Sequence, residues 1–283
     1  MIGSRAMRGE SALPRVNDGA TQSFEVIALL DLPHLRARLA DSLKSHAALV
    51  FASSEPDLLA MLRSDVRPAS VILVPAVDGN TGAATDRLVR RIAVERPRAA
   101  IVAWCPGPAN YTVDLRALTA AGVHQFWFPD PHDGGVVLRS ILLKARQVNA
   151  AEYMMKCLSQ ILPAELHPFV EAALESPGQA TTIRALADLV GVHRRTIFNR
   201  CRRSSPLSPT QLLVWVRLAL VAFHLENTAC TVETIAIDLA YPSSAALRNT
   251  LKRYTGHRAS ELRERGPIDS LLGRLRERLR WCP

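Results

Sequence analysis

The chain has 283 residues, of which 48% are hydrophobic, and it carries a formal net charge of +9 at pH 7. A chain of this length and hydrophobic content can bury two cores, and no apolar run approaches the roughly 20 residues that a bilayer-spanning helix needs. The 5 cysteines are scattered without a C-x-x-C pair, which favours buried thiols in a reducing cytosol over a disulfide framework or a zinc site. Because no nucleotide, haem or metal motif is present, we expect no cofactor and no metal.

The first 149 residues contain two segments of different character. Residues 1–22 are polar and rich in Gly, Ser and Ala without an apolar stretch, which predicts a disordered leader and no secretory signal. Residues 23–149 alternate helical patterns with five short apolar runs, at 25–30, 48–52, 70–74, 99–103 and 123–128. Runs that are apolar on both faces predict an α/β domain, in which helices cover both sides of a parallel sheet.

This α/β domain resembles the receiver domain of bacterial response regulators, which implies the flavodoxin-like strand order. A small Ala-Gly pair at 121–122 before an aromatic strand adds to the resemblance. The family's phosphate-accepting Asp at the end of the third strand is replaced by Pro75. Its conserved hydroxyl and Lys positions fall near Trp104 or Cys105 and at Pro129. We therefore predict a degenerate receiver that is not phosphorylated.

One acidic residue remains where the receiver family holds magnesium. The acidic pair after the first strand is reduced to Leu30-Asp31, and Asp78 lies three residues beyond the expected acceptor. Asp31 is open to two interpretations, a relict metal ligand or an ordinary strand-end carboxylate, of which the second is favoured. The domain is expected to dimerise, to bind a protein partner or to accept an unidentified ligand at the strand ends.

A helical connector is predicted at residues 150–179. From 136 to 162 no Gly or Pro interrupts the pattern, and apolar residues recur at a rough 3-4 spacing, namely Val137, Ile141, Val148, Ala151, Met155, Leu158 and Leu162. Two interpretations stay open: one long helix that pairs with its twin in a dimer, or a receiver helix that ends near Asn149 and a separate linker helix. Pro163 ends this region, and a further helix over 165–176 precedes a break at 177–179.

Residues 180–265 carry one pattern twice and most of the positive charge. Segments 183–203 and 232–253 each have the pattern of an amphipathic helix, a turn of small residues and a helix rich in Arg, Asn and Ser. This is the shape of a helix-turn-helix unit, whose second helix can enter a DNA major groove. Residues 181–283 contain 17 Lys and Arg against 8 Asp and Glu, which agrees with phosphate binding. A linker helix from 208 to 226, roughly 27 Å long, would hold the two units about one DNA turn apart.

Residues 163–265 resemble the DNA-binding domain of AraC-type transcription regulators. The resemblance rests on the sequence LSPTQLL at 207–213 with 216–219, and on segments 235–241 and 252–263. The chain departs from the family at four places, where the family's Gly-Phe turn, helix aromatic, late Pro and core Phe are replaced by Ala240-Tyr241, Leu251, Ala259 and Cys201. These departures keep apolar character or turn placement, so they leave the expected fold intact and the DNA contacts less defined.

The helical phase of each unit predicts which side chains face DNA. In the first unit the inward set is Leu186, Leu189, Val192, Ile197 and Cys201, and the outward set is Arg194, Arg195, Phe198, Asn199 and Arg202. In the second unit Ser243 starts the helix and is included among the DNA-binding residues, the groove-facing set is Ser244, Ala245, Arg248 and Asn249, and Lys252 and Arg253 are phosphate contacts. Arg is suited to guanine and Asn to adenine. Phe198 is open to two interpretations, contact with thymine methyl groups or a place in the core.

Two histidines and the C-terminal tail need separate interpretations. His193 stands where a Ser or Thr cap is expected and is interpreted as a loose cap, with phosphate contact as the alternative. His224 lies in the apolar linker helix and is interpreted as half-buried rather than as a ligand. Residues 266–283 predict a basic amphipathic helix that docks on the DNA-binding domain, with extra phosphate contact as a second interpretation and membrane binding as a distant third.

The sequence therefore predicts a cytoplasmic, nucleoid-associated transcription regulator that binds double-stranded DNA as a homodimer, with no membrane and no enzymatic activity. Two alternatives stay open. One is an adaptor whose helix-turn-helix units bind protein. The other is a DNA-repair module, which would need a metal-ligating cysteine cluster that the sequence lacks and a reactive thiol such as Cys105.

Overall fold

A computed structural model describes residues 24–44, 46–64, 71–79, 82–105, 114–130, 135–226 and 230–280. The predicted leader at 1–22 and the last three residues of the tail lie outside the described residues. The first part of the chain is an α/β domain, and the second part, from the middle of one long helix onward, is all-helical. The fold class predicted from the sequence is confirmed.

Five parallel strands form a single sheet in the α/β domain. They are β1 (Phe24–Leu29), β2 (Ala47–Ala52), β3 (Val71–Pro75), β4 (Ala100–Trp104) and β5 (Gln125–Trp127). The order across the sheet is β2-β1-β3-β4-β5, which is the flavodoxin-like order. All five residues of β4 are buried, as the continuous apolar run predicts for a strand covered on both faces.

Five helices cover the two faces of this sheet. They are α1 (Pro33–Leu43), α2 (Glu55–Ser64), α3 (Asp86–Glu95), α4 (Leu115–Ala121) and α5 (Val136–Ser159). Alternate strand residues point to opposite faces. Accordingly, Val26 and Val102 pack in one core with α1 and α5, whereas Ile27 and Ile101 pack in another with α2, α3 and α4.

The helix α5 connects the two parts of the chain. Its first half contributes Leu138 and Leu142 to the sheet core, and its second half contributes Met154 and Leu158 to the helical core. The helix continues without interruption to Ser159, so the break expected near Asn149 in one interpretation is wrong.

The other interpretation of this region, a dimer seam along one long helix, does not fit the packing. Ala151, Leu158 and Leu162 are buried inside the chain, and only Val137 at the start of the helix is clearly exposed, at 55%. The apolar spacing read as a seam therefore serves intramolecular packing. The division of the chain at 149/150 and 179/180 stays a prediction, although the two cores separate between Ala145 and Ala150.

Eight further helices lie in the described residues of the second part. They are α6 (His167–Glu175), α7 (Ile183–Val190), α8 (Arg194–Ser204), α9 (Pro209–Glu226), α10 (Val232–Asp238), α11 (Ser244–Thr255), α12 (Ala259–Arg265) and α13 (Pro267–Arg280), with a short 3-10 turn at Ala164–Leu166 before α6. The apolar helix α9 lies at the centre and contacts α5, α6, α7, α8, α10, α12 and α13. No described helix is by itself long and apolar enough to cross a membrane; α8 and α9, bent by 85°, pass that test only as a pair.

Candidate nucleic-acid interface

The first helix-turn-helix unit consists of α7, a tight turn and α8. Thr182 caps α7 by accepting a hydrogen bond from the Ala185 amide at 3.2 Å, and Gly191 ends the helix in the left-handed conformation with φ of 70°. His193 caps α8, because its Nδ1 accepts from the Arg195 amide at 3.2 Å. The interpretation of His193 as a helix cap is therefore confirmed. The turn thus fixes the orientation of α8 relative to α7.

The packing of this unit separates a buried face of α8 from an exposed one. Ile197 and Cys201 are fully buried, in agreement with the helical phase. The predicted outward side chains Arg194, Arg195 and Arg202 are exposed.

Three other predictions on this unit have mixed outcomes. Phe198 is 49% exposed, so its interpretation as a core residue is wrong, while Asn199 is only half-buried. The inward position predicted for Leu189 is wrong, because Leu189 is 39% exposed while α7 buries Leu186 and Ala187.

The second unit consists of α10, its turn and α11. Thr231 caps α10, and Ser243 caps α11 by accepting from the Ala246 amide at 3.1 Å. The turn passes through Ala240 with φ of 51°, the one non-glycine residue with positive φ in the described part of the chain. This is the position where the sequence departs from a family glycine, so the backbone keeps the turn conformation although the side chain has changed.

Most of the predicted DNA-facing side chains of α11 are accessible, but Arg248, Ser244 and Ser243 already have partners. Ala245 and Asn249 are exposed, as are Lys252 and Arg253 near the end of the helix. The guanidinium of Arg248 pairs with the carboxylate of Glu233 on α10 and donates to Ser244 Oγ at 3.3 Å. Ser243 is exposed but is engaged as a cap, and Ser244 is half-buried.

The carboxylate beside Arg248 is held in its charged form. The pKa of Glu233 is lowered by a hydrogen bond from its own backbone amide and by its pairing with Arg248. Phosphate and Glu233 would therefore compete for the Arg248 guanidinium. Arg248 must leave this pair, or share it, in order to contact DNA.

The buried Arg217 of α9 joins both units, and its role was missed by sequence reasoning. Its Nη1 donates to Pro177 O at 2.7 Å ahead of the first unit, and its Nη2 donates to Leu239 O at 2.7 Å in the second turn. The guanidinium also stacks on the Tyr241 ring at 4.7 Å. A lone Arg inside an otherwise apolar helix was the available signal, because a buried charge must find partners.

The first half of α9 is also held by specific contacts. Ser208 and Gln211 form a reciprocal capping box, in which each side chain accepts from the other residue's amide, at 3.3 and 3.0 Å. Farther along the helix, Trp215 packs edge-on against Tyr254 of α11 with ring centroids 5.3 Å apart. These contacts make α9 a fixed spacer between the two units.

The tail helix α13 packs on the domain. Leu271 and Leu275 are buried against the helical core, and α13 contacts α9, α11 and α12. Its arginines lie on the outer face, and Arg274 pairs with Glu277 at 3.0 Å. The packing therefore shows that the tail helix α13 docks on the helices of the second part, as the first interpretation of the tail predicted.

In the described part of the receiver-like domain, the last residue of β3 is not a carboxylate. Pro75 is the last residue of β3, and Asp31 is an exposed residue between β1 and α1. No group of three or more His, Cys, Asp or Glu side chains among the described residues could hold a metal ion. Burial raises the pKa of the Cys105 thiol after β4 to about 11, which keeps it protonated and unreactive near neutral pH.

Comparison with known proteins places the helix-turn-helix units in a family of domains. Residues 186–265 match a family described as helix-turn-helix domain. The chain is also 29% identical over 108 residues to the RCS-specific HTH-type transcriptional activator RclR of Escherichia coli K12. That similarity covers 38% of this chain, which spans only 38% of the relative's length. Residues 186–265 therefore form a helix-turn-helix domain of the AraC type, the kind of domain through which transcription regulators bind DNA.

Several solved structures resemble parts of the chain at low similarity. A response regulator from Thermotoga maritima is 18% identical and covers 44% of this chain and 98% of its own, with a TM-score of 0.36. Full-length FixJ from B. japonicum is 14% identical and covers 71% of this chain and 98% of its own, with a TM-score of 0.40. RcsB from Salmonella enterica serovar Typhimurium, solved on the rprA promoter, is 13% identical and covers 81% and 99%, with a TM-score of 0.35. The fold of the α/β domain is given by its own strand order.

Proposed function

We propose that the chain is a transcription regulator that binds double-stranded DNA by placing α8 and α11 in adjacent major grooves. The observation that carries this proposal is the rigid pairing of two helix-turn-helix units around α9, with Arg217 bonded to backbone ahead of the first unit and within the second turn. A spacer of 18 residues, roughly 27 Å at 1.5 Å per residue, is close to the spacing of successive grooves on one face of DNA.

The proposed contacts fall into two classes. Arg194, Arg195, Phe198 and Asn199 of α8, and Ser244, Ala245, Arg248 and Asn249 of α11, are assigned to base edges. Arg202, Ser243, Lys252 and Arg253 are assigned to phosphates. The exposure of most of these side chains supports this assignment.

We further propose that DNA binding does not depend on phosphorylation of the receiver-like domain. Pro75 at the end of β3 cannot accept a phosphoryl group. The domain is proposed instead to mediate homodimerisation, so that each protomer reads one half-site of a longer operator on chromosomal DNA in the cytoplasm. The relative's name describes an activator, but the direction of regulation is not carried over to this chain.

Selection of bound DNA from a random pool by the full-length protein tests these proposals. We expect an enriched motif of two blocks about one helical turn apart, repeated where the protein binds as a dimer. Incubation with acetyl phosphate should leave both the mass of the protein and its affinity for the selected DNA unchanged. Absence of any enriched motif would contradict the DNA-reading proposal, whereas a single unrepeated motif would contradict only the dimer.

A further inference from the structure

A cavity of about 450 Å³ lies between the two parts of the chain. It is bounded by α5, by the segment that leads from α6 into α7, by the end of α9 and by the end of α10. Its lining residues with charged or hydrogen-bonding side chains are Lys144, Arg146, Gln147, Glu175, Ser176, Gln179, His224 and Asp238. The volume is that of a small-molecule site.

Arg146 is the buried charge of this cavity. Only 7% of the residue is exposed, and its guanidinium stacks on the Phe24 ring at 4.7 Å. Its one hydrogen bond runs from Nη2 to the Cys230 sulfur at 3.3 Å. A thiol sulfur is a weak acceptor, and no described carboxylate lies within ion-pair distance of Arg146. Arg146 therefore has no strong hydrogen-bond acceptor among the described residues, and its charge acts on the Asp238 carboxylate without forming an ion pair.

The other charged groups in the lining differ from Arg146 in exposure. Glu175 and Lys144 are exposed, so water screens their charges, whereas burial raises the pKa of the Asp238 carboxyl and the nearby Arg146 charge lowers it. His224 is half-buried and has no hydrogen-bond partner among the described residues. Burial and the nearby Arg146 charge lower the pKa of His224 to about 3, so its ring is neutral and has an N–H to donate. The buried part of the lining thus offers donors and positive charge.

We propose that this cavity binds a small molecule bearing a carboxylate or phosphate group. The planar guanidinium of Arg146 takes the anionic group in a bidentate contact, with Lys144 and the neutral His224 as further donors. Such a ligand would supply the strong acceptor at hydrogen-bond distance that Arg146 lacks among the described residues.

The position of the cavity links ligand binding to both helix-turn-helix units. Asp238 and Leu239 of its lining lead directly into the turn at Ala240, and Gly178 and Gln179 precede the first unit. A bound anion would therefore stabilise one arrangement of α5 against the two units. This coupling rests on the proposed binding of DNA by the two units, whereas the proposed binding of the anion is independent of it.

Thermal unfolding of the full-length protein without DNA tests the site. Inorganic phosphate and succinate are titrated separately at constant ionic strength, so that the two ligand groups are distinguished. We expect a saturable rise of the Tm with at least one probe, because a ligand that binds only the folded state stabilises it. Arg146→Lys should weaken that binding about tenfold, since Lys cannot make the bidentate contact.

Further variants separate the cavity from other anion sites. Lys144→Gln should weaken binding severalfold, whereas Lys156→Gln, an exposed lysine on the same helix outside the cavity, should not. The double variant Arg195→Ala with Arg248→Ala removes positive charge from the recognition helices and should leave the Tm response intact. If this variant loses the response while Lys144→Gln keeps it, the anion binds on the recognition helices and the proposal is overturned. A Tm that fails to respond to either probe also overturns it, and Lys144→Gln decides alone if Arg146→Lys does not fold.

Discussion

Arg98 and Glu226 form an ion pair between the two parts of the chain, with Arg98 Nη1 2.8 Å from Glu226 Oε2. Arg98 lies just before β4, and Glu226 is the last residue of α9. The other carboxylate oxygen accepts from the Ile268 amide at 3.3 Å, and Arg98 Nε donates to the Tyr153 hydroxyl at 3.2 Å. This small network connects the sheet, α5, α9 and α13, so it fixes the DNA-binding helices relative to the receiver-like domain.

A double-mutant cycle on Arg98→Ala and Glu226→Ala should give a coupling energy of about 1 kcal/mol in the free energy of unfolding. We expect a small coupling energy because the Arg98 side chain is 38% exposed, so that water screens the ion pair. Urea denaturation measures it. The pair Arg63–Glu95, at 3.0 Å but with Arg63 58% exposed, serves as the control and should couple more weakly.

Replacement of Arg217 should be strongly destabilising. Arg217→Met keeps the apolar stem but leaves the carbonyl oxygens of Pro177 and Leu239 without their donor. We expect a loss of about 3 kcal/mol in the free energy of unfolding, because buried polar groups without partners are costly. Arg184→Met, at an exposed position of α7, is the matched control and should change stability little. Equal effects of the two substitutions in chemical denaturation would argue against the bridging role of Arg217.

The turn of the second unit offers a stabilising substitution. Ala240→Gly should raise stability by about 1 kcal/mol, because glycine adopts a φ of 51° without the steric cost that alanine incurs. The reverse change in the first unit, Gly191→Ala at φ of 70°, should lower stability by a similar amount although a Cβ there meets open space. Differential scanning calorimetry of both variants checks the two signs. A destabilised Ala240→Gly protein would show that the alanine side chain makes a contact that outweighs the strain.

Acidification should destabilise the protein through His224. Its pKa is about 3 in the folded chain and about 6.5 when unfolded, so the unfolded state binds the proton first as the pH falls. Neutral His224 makes its full contribution to the free energy of unfolding above about pH 6.5. This contribution is lost progressively as the pH falls towards 3, and the loss between pH 7 and pH 5 is about 2 kcal/mol. His224→Gln should flatten this pH dependence in urea titrations, whereas His193→Gln at the exposed cap should leave it unchanged. Some slope will remain, since burial also lowers the pKa of His124.

Contacts of the recognition helices with DNA should differ in kind. Arg195→Ala should cost about 1–3 kcal/mol against the selected motif, whereas Lys252→Ala should weaken all sequences alike and reduce the salt slope by about one unit. Fluorescence anisotropy at several KCl concentrations measures both effects. Arg184→Ala, exposed on α7 outside the recognition helices, removes the same charge and should alter neither specificity nor slope by a comparable amount. Affinity that ignores salt would contradict phosphate binding.

Local patterns in the sequence determined most of the elements of this protein. Apolar runs with helical segments between them predicted the parallel sheet, because alternation and 3.6-residue spacing report which face of an element is buried. The repeated helix-turn-helix pattern predicted both DNA-binding units for the same reason. The replacement of the phosphate acceptor by Pro75 was also visible without coordinates.

Only the tertiary structure decided which side chains of different elements contact one another. The apolar spacing of α5 fits a dimer seam as well as two intramolecular cores, and packing assigned it to the cores. The partners of Arg217 lie 40 and 22 residues away, and Arg98 and Glu226 are 128 residues apart. Sequence periodicity describes neighbours within one element, whereas a buried charge is satisfied by whatever the fold brings beside it. For this reason the links between the sheet and the DNA-binding helices, and the cavity at Arg146, emerged from the folded chain alone.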